Sequence, residues 1–200
     1  MIAGMLANRP LMLVLGIIGC VMVIRSVMEN FWPLLVTGPL AVGEEALPLL
    51  AALRSLVMLA SFLLLAHRLR ADRYYRPMAF ALGLISLLCA LLLVLPAQLS
   101  WVLVPGVMAE ALALSILIPL YSSLQMLLLD AGERARMFGL SLAFCLMITA
   151  PFGTLNGLLS RLHAALPMAV CAALGLLALD LLRRLNRCLP AGKLRESAAE

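Results

Sequence analysis

Six long apolar runs, separated by short polar or proline-marked connections, form the main pattern along this 200-residue chain. A helix that crosses a bilayer needs about 20 mostly apolar residues. Backbone groups in hydrocarbon must find hydrogen-bond partners within the segment, so runs of this length have to be helical. The pattern therefore predicts an all-α polytopic membrane protein: a six-helix bundle over residues 1–187 and a cytoplasmic tail over 188–200. The predicted spans are roughly 11–36, 46–66, 77–95, 101–129, 137–160 and 164–186.

Composition supports the membrane class. Hydrophobic residues make up 64% of the chain and charged residues 12%, and the mean hydropathy is +1.10. A soluble domain is typically about half apolar and a quarter charged. The net charge of +5 would suggest nucleic acid in a soluble protein. Here the positions of the basic residues explain it better, and no nucleic-acid partner is predicted.

The basic residues are distributed unequally between the two sets of connections. Twelve of the 15 Lys and Arg residues fall on one side of the predicted spans, and Arg161 alone falls in the opposite connections. Basic residues accumulate in cytoplasmic loops. We therefore expect both termini to be cytoplasmic, with the chain in the cell (inner) membrane and its basic rim near anionic lipid. The twelve are Arg9, Arg68, Arg70, Arg73, Arg76, Arg134, Arg136, Arg183, Arg184, Arg187, Lys193 and Arg195.

Four ionisable residues lie inside the apolar spans: Arg25, Glu29, Arg54 and Glu110. A charge at the centre of a membrane helix costs roughly 2.5–3.5 kcal/mol on insertion scales, so such residues normally face a partner or a cavity. At about 1.5 Å per residue, all four lie about 10–15 Å from the outer ends of their spans. They would share one layer. Arg25 and Glu29 are four residues apart and can pair on one helix face, and Arg54 and Glu110 could then pair across helices.

Two interpretations of this layer remain open. It is either a charge-balanced clamp that only packs, or a polar site with a proton-coupling carboxylate in a central cavity. Further polar residues on the same helices would extend a substrate or coupling-ion pathway, although each one alone more often makes an interhelical hydrogen bond. They are Asn30, Tyr121, Gln125, Thr149 and Asn156.

Several features argue against an enzyme, a cofactor or a metal site. The five cysteines lie one per segment without C-x-x-C spacing, which is typical of small buried side chains. The two histidines, His67 and His163, are predicted on opposite sides of the bilayer. We find neither a G-x-S-x-G element nor a phosphate-binding glycine loop. Pro105 and Pro119 could bend the fourth span, and Gly153 with Gly157 is interpreted as a close-packing motif.

The connection after the second span reads His67-Arg-Leu-Arg-Ala-Asp-Arg-Tyr-Tyr-Arg76. It resembles the cytoplasmic loop motif of the major facilitator superfamily, G-x-L-A-D-R-x-G-R-[KR], at Asp72, Arg73 and Arg76. Both glycine positions and the last basic position differ, which is similar to the second-half copy of that motif. Asn8-Arg9-Pro10 and the stretch 130–139 also resemble the entries to the seventh and eleventh helices of the family.

The resemblance implies the C-terminal six-helix half of a major facilitator fold, built as two inverted three-helix repeats. The first and fourth spans would then line the transport path, which would place Arg25, Glu29 and Glu110 in the site. One half alone would leave that face open to lipid. A second six-helix half is therefore expected, as a homodimer, a separate chain, or a half not present in this sequence.

Two functions follow as hypotheses. The first is transport of a small organic solute, ion- or proton-coupled, by alternating access. The second is a non-transporting six-helix scaffold or a substrate-binding membrane component. The pathway residues expected for the first are Arg25, Glu29, Asn30, Arg54, Glu110, Gln125 and Asn156.

Overall fold

The computed structural model describes residues 9–37, 43, 45–65, 74–94, 102–129, 134–163 and 165–189, and the side chains of all of these except 31–37 and 134–137. This part of the chain is helical and contains no strand. The helices are α1 (Arg9–Thr37), α2 (Ala46–Leu65), α3 (Tyr75–Val94), α4 (Leu103–Leu128), α5 (Arg134–Leu162) and α6 (Leu166–Cys188).

The prediction of six membrane-spanning helices is confirmed. Each helix contains a segment of 20 to 26 residues that is long and apolar enough to cross a bilayer. At 1.5 Å per residue, the shortest of these segments spans about 30 Å, the thickness of a hydrocarbon core. The chain is therefore a multi-pass membrane protein with short connections between its spans.

Proline marks the first turn of five helices, at Pro10, Pro48, Pro77, Pro105 and Pro167. The first N–H groups of a helix have no partner within the helix, so proline costs no hydrogen bond there. Pro105 lies in the first turn of α4 and therefore removes no hydrogen bond within that helix. Pro119 in α4 and Pro151 in α5 do lie inside their helices.

The helices pack in a pattern that repeats between the two halves of the chain. The most extensive contact joins α3 to α6. Helix α1 packs on α6 and α5, α4 packs on α3 and α2, and α1 also touches α4. Exchanging α1 with α4, α2 with α5 and α3 with α6 reproduces these pairings, but α5 also touches α6 without an equivalent contact of that size between α2 and α3. The fold thus consists of two three-helix units whose neighbours are largely equivalent.

Burial follows the same exchange. Helices α1 and α4 are the most buried spans, and α2 and α5 are the least buried. The outward faces of α2 carry large apolar side chains, as suits contact with acyl chains. These include Leu49, Leu56, Leu59, Phe62, Leu63 and Leu64. Helices α1 and α4 therefore form the centre, and α2 and α5 flank it.

The α3–α6 contact depends on one glycine. A Cβ atom on Gly175 would overlap the hydroxyl of Ser86 and come within 3.2 Å of Ser86 Cβ. The Ser86 hydroxyl donates to the Leu82 carbonyl at 2.8 Å, so it is tied to its own helix. Small residues let membrane helices approach closely, and this is the position in the α3–α6 contact where the structure requires one.

The interpretation of Gly153 and Gly157 as a packing motif is wrong for contacts within the described part of the chain. A Cβ atom on either glycine would meet nothing within 4 Å. Both residues lie on α5, one of the two least buried helices. The two glycines therefore form no close helix contact within the described part of the chain.

Tyr74 joins the start of α3 to the end of α6. Its side chain is fully buried, and its hydroxyl donates to the Leu189 carbonyl at 2.9 Å. Desolvation by burial raises the pKa of Tyr74 to about 12. This bond fixes the last described turn of the chain against the end of the bundle from which α1 also starts.

Candidate functional site

Arg54 and Glu110 form an ion pair between α2 and α4. Arg54 Nη2 donates to Glu110 Oε1 at 2.9 Å. The side chain of Glu110 is 11% exposed and that of Arg54 is 25% exposed. Arg54 Nε is buried and has no hydrogen-bond partner among the described residues. The predicted pairing is confirmed, and it leaves one guanidinium donor unused inside the bundle.

Arg25 and Glu29 form the second predicted pair, which is also confirmed. Arg25 Nε donates to Glu29 Oε1 at 2.8 Å, one helical turn apart on α1. The side chains are 44% and 42% exposed. The sequence placed this pair in a protected interior, but within the described chain it lies on an open face. The reason is that the other faces of α1 are occupied by α4, α5 and α6.

The two pairs meet at a cavity between α1, α2 and α4 of about 330 Å³. Glu29, Arg54 and Glu110 supply its charged groups. The rest of the lining is apolar: Met28, Leu47, Pro48, Leu50, Ala51 and Val107. Ligand sites are commonly apolar concavities with a few polar groups that fix orientation, and this cavity has that character.

Glu29 also borders a second groove, between α1 and α5, of about 230 Å³. Its polar lining comes from Arg25, Ser26, Glu29 and Thr149. Glu29 therefore lies on the ridge of α1 between the two spaces. The open face of α1 is charged at this level, with Arg54 of α2 on one side and Thr149 of α5 on the other.

Gln125 belongs to a separate polar contact. Its amide nitrogen donates to the Ser141 hydroxyl of α5, and the Ser141 hydroxyl donates to the Phe138 carbonyl. Both side chains are buried. They border a small cavity of about 100 Å³ between α1, α4 and α5, together with Tyr121. The sequence identified Gln125 and Tyr121 as polar groups but missed Ser141, whose small hydroxyl has no distinctive pattern in a helix.

The remaining predicted residues bond to their own helices. Asn30 donates to the Ser26 carbonyl at 2.7 Å, Thr149 to the Cys145 carbonyl at 2.8 Å, and Asn156 to the Phe152 carbonyl at 2.7 Å. Asn156 is fully buried, and its Oδ1 has no partner among the described residues. None of these three bonds joins two helices, so they do not link α1 or α5 to a neighbouring helix.

The loop motif lies mostly outside the described residues. Asp72 and Arg73 fall outside them, as does the tail beyond Leu189, whereas Arg76 is exposed in the first turn of α3.

Within the site, two carboxylates and two guanidinium groups occupy one level of an apolar bundle. Such a set can hold a charged solute or exchange a proton, because a change at one member alters the balance of the others.

Comparisons with known proteins return no match to a protein-family model, a curated protein or a solved structure.

Proposed function

We propose that this chain is one six-helix half of a secondary transporter for a small organic solute, driven by an ion or a proton. The observation that carries the proposal is the cavity between α1, α2 and α4, which combines an apolar wall with Glu29, Arg54 and Glu110. Ionisable groups at this depth are costly and mark substrate or proton pathways in membrane proteins. Glu110 is the coupling candidate, because it is the more buried of the two carboxylates.

Alternating access supplies the mechanism. Transporters place their sites at the interface of repeated units and move those units around a fixed site. The equivalent pairings of the two three-helix units support such a construction, as does the resemblance of the loop at Asp72, Arg73 and Arg76 to the major facilitator superfamily. In this scheme a proton or the solute competes with the Arg54 guanidinium for the Glu110 carboxylate.

A second six-helix half is part of the proposal. Arg25 and Glu29 lie at hydrocarbon depth with more than two fifths of each side chain exposed. Charges facing acyl chains are unfavourable, so a protein surface over this face of α1 would stabilise the pair. That surface is either a second copy of the chain or a separately encoded half. The mass of the purified protein in detergent micelles distinguishes the two, because a homodimer has twice the mass of one chain.

The proposed location is the cell membrane with both termini cytoplasmic. The excess of basic residues at the start of α1, the start of α3 and the end of α6 supports this orientation. The orientation is tested by labelling single cysteines introduced at positions 161 and 76 with a membrane-impermeant thiol reagent added outside the cell. We expect labelling at position 161 and none at position 76. We propose no enzymatic activity.

The transport proposal is tested in inverted membrane vesicles that report a pH gradient. A panel of charged organic solutes is added to vesicles with the wild-type chain, with Glu110→Gln, and with Glu45→Gln as the control. Glu45 is an exposed carboxylate just before α2. We expect at least one solute to dissipate the gradient in the wild type and the control, but not in Glu110→Gln.

Unchanged coupled transport in Glu110→Gln would remove Glu110 from the coupling role. The alternative function is a non-transporting six-helix scaffold, which the equal numbers of positive and negative groups among the four residues favour. It predicts that no solute changes the pH gradient with the wild-type chain or any variant. It also predicts that cells with Arg25 and Glu29 both neutralised retain the wild-type phenotype.

A further inference from the structure

A groove with three arginines lies at the end of the bundle where α1 begins and α6 ends. Its volume is about 520 Å³. Arg9 comes from the first residue of α1, and Arg184 and Arg187 come from the last turns of α6. Met12, Leu13 and Cys188 complete the lining. Arg25 lies 16 residues, or about 24 Å, further along α1 than Arg9, so this groove is a separate site from the proposed transport cavity.

The positive charge of the groove is only partly compensated. Asp180 accepts a hydrogen bond from Arg184 Nε at 2.8 Å, which leaves the two terminal nitrogens of Arg184 available. Arg9 and Arg187 make no ion pair with any described residue. The beginning of α1 adds the positive end of a helix dipole. Two uncompensated guanidinium groups and part of a third therefore face one space.

The groove is divided into a charged rim and an apolar floor. Arg9 and Arg187 lie at the ends of their spans, at the level of the membrane surface, whereas Met12 and Leu13 lie about one turn deeper along α1. A soluble anion would use only the rim. A molecule with an anionic head and apolar chains would use both parts.

Arginine is suited to the head group of such a molecule. Its planar guanidinium binds phosphate through two parallel hydrogen bonds. Basic pockets between membrane helices on the cytoplasmic side recognise anionic lipid head groups. We propose that this groove binds the phosphate of an anionic phospholipid, with an acyl chain against Met12 and Leu13. The site does not depend on whether the chain transports a solute.

Native mass spectrometry of the full chain tests the site. The detergent-purified protein is incubated with equal amounts of phosphatidylglycerol and phosphatidylcholine, and the ratio of retained lipids is measured for the wild type, Arg9→Gln/Arg187→Gln, and Arg76→Gln. Arg76 is the control because it is an exposed arginine at the same end of the bundle, outside the groove. A basic residue near anionic lipid contributes about fivefold in binding, so the double variant should lose about thirtyfold of the preference.

Three results would overturn the proposal: equal retention of the two lipids by the wild type, an unchanged preference in the double variant, or an equal loss in Arg76→Gln. A further arm adds glycerophosphoglycerol, which is deacylated phosphatidylglycerol and keeps its phosphodiester head group without the chains. Displacement of phosphatidylglycerol at equimolar concentration would assign the groove to a soluble phosphate ester instead. If the double variant does not fold, the wild type still decides, because phosphatidylglycerol must raise its melting temperature more than phosphatidylcholine does.

Discussion

Arg54 and Glu110, which are 56 positions apart in the chain, form a 2.9 Å ion pair that is the polar link between α2 and α4. Helix α2 has its main packing contact with α4, and most of its other surface faces outward. The pair therefore contributes both to the position of α2 and to the charge of the cavity. These two roles can be separated by experiment.

Neutralising one member of this pair should destabilise the protein. Breaking a buried ion pair from one side costs about 3–5 kcal/mol, because the remaining charge stays buried without compensation. We expect a loss toward that range for Arg54→Gln or Glu110→Gln, and a much smaller loss for the double variant. The free energy of unfolding in mixed micelles measures this, with Glu45→Gln as control.

The exchanged variant Arg54→Glu/Glu110→Arg separates packing from transport. The restored pair should recover most of the stability, while solute-dependent dissipation of the pH gradient should stay lost, because the carboxylate has moved to α2. Recovery of both would mean that the position of Glu110 has no part in coupling.

Neutralising Glu29 should destabilise the protein more than breaking an ion pair near the membrane surface. A charge within a membrane span costs roughly 2.5–3.5 kcal/mol on insertion scales, and Glu29→Gln leaves Arg25 at that depth without its 2.8 Å partner. Asp180→Asn is the control, because Asp180–Arg184 is also a 2.8 Å i,i+4 pair but lies in the last turns of α6, where such a pair contributes about 0–1 kcal/mol. The free energy of unfolding in mixed micelles should fall more in Glu29→Gln, and transport should fall in Glu29→Gln alone. Equal transport in the two variants would contradict a role for Glu29.

A methyl group at position 175 should separate α3 from α6. Overpacking of a tight contact typically costs about 1–3 kcal/mol, and the Cβ atom of Gly175→Ala would meet the fixed hydroxyl of Ser86. Gly83→Ala on α3 is the control, because its Cβ atom would meet nothing within 4 Å. The melting temperature should fall only for Gly175→Ala. Addition of Ser86→Ala should restore part of the loss.

Tyr74 gives the stability a dependence on alkaline pH. Its pKa is raised from 10.0 to about 12 in the folded protein, so the unfolded chain loses this proton first. The contribution of the protonated Tyr74 hydroxyl to the free energy of unfolding is complete below pH 10 and declines as the pH rises from about 10 to 12. The melting temperature of Tyr74→Phe should therefore be lower than that of the wild type near neutral pH, with a difference that shrinks above pH 10. A constant difference would show that Tyr74 does not titrate in this way.

Helix pairing was only partly predictable. The i,i+4 spacing of Arg25 and Glu29 places them on one helix face in any helical fold, and the equal depths of Arg54 and Glu110 made their pairing the natural expectation. The contact between Gln125 and Ser141 was not predictable in the same way, because a serine in an apolar helix bonds its own backbone as readily as a neighbour. The arginine groove also escaped sequence reasoning, since Arg9 and Arg187 are brought together only by the packing of α1 on α6.

The sequence by itself determined the six helices and the level of each charge within them. Length, apolar content and a fixed rise per residue are enough for that. Only the tertiary structure decided which helices are central, that the Arg25–Glu29 pair lies on an open face, and that Gly175 rather than Gly153 or Gly157 permits a close approach. The physical reason is that residues facing lipid and residues facing another helix are equally apolar, so hydrophobicity specifies insertion but leaves the packing faces unmarked.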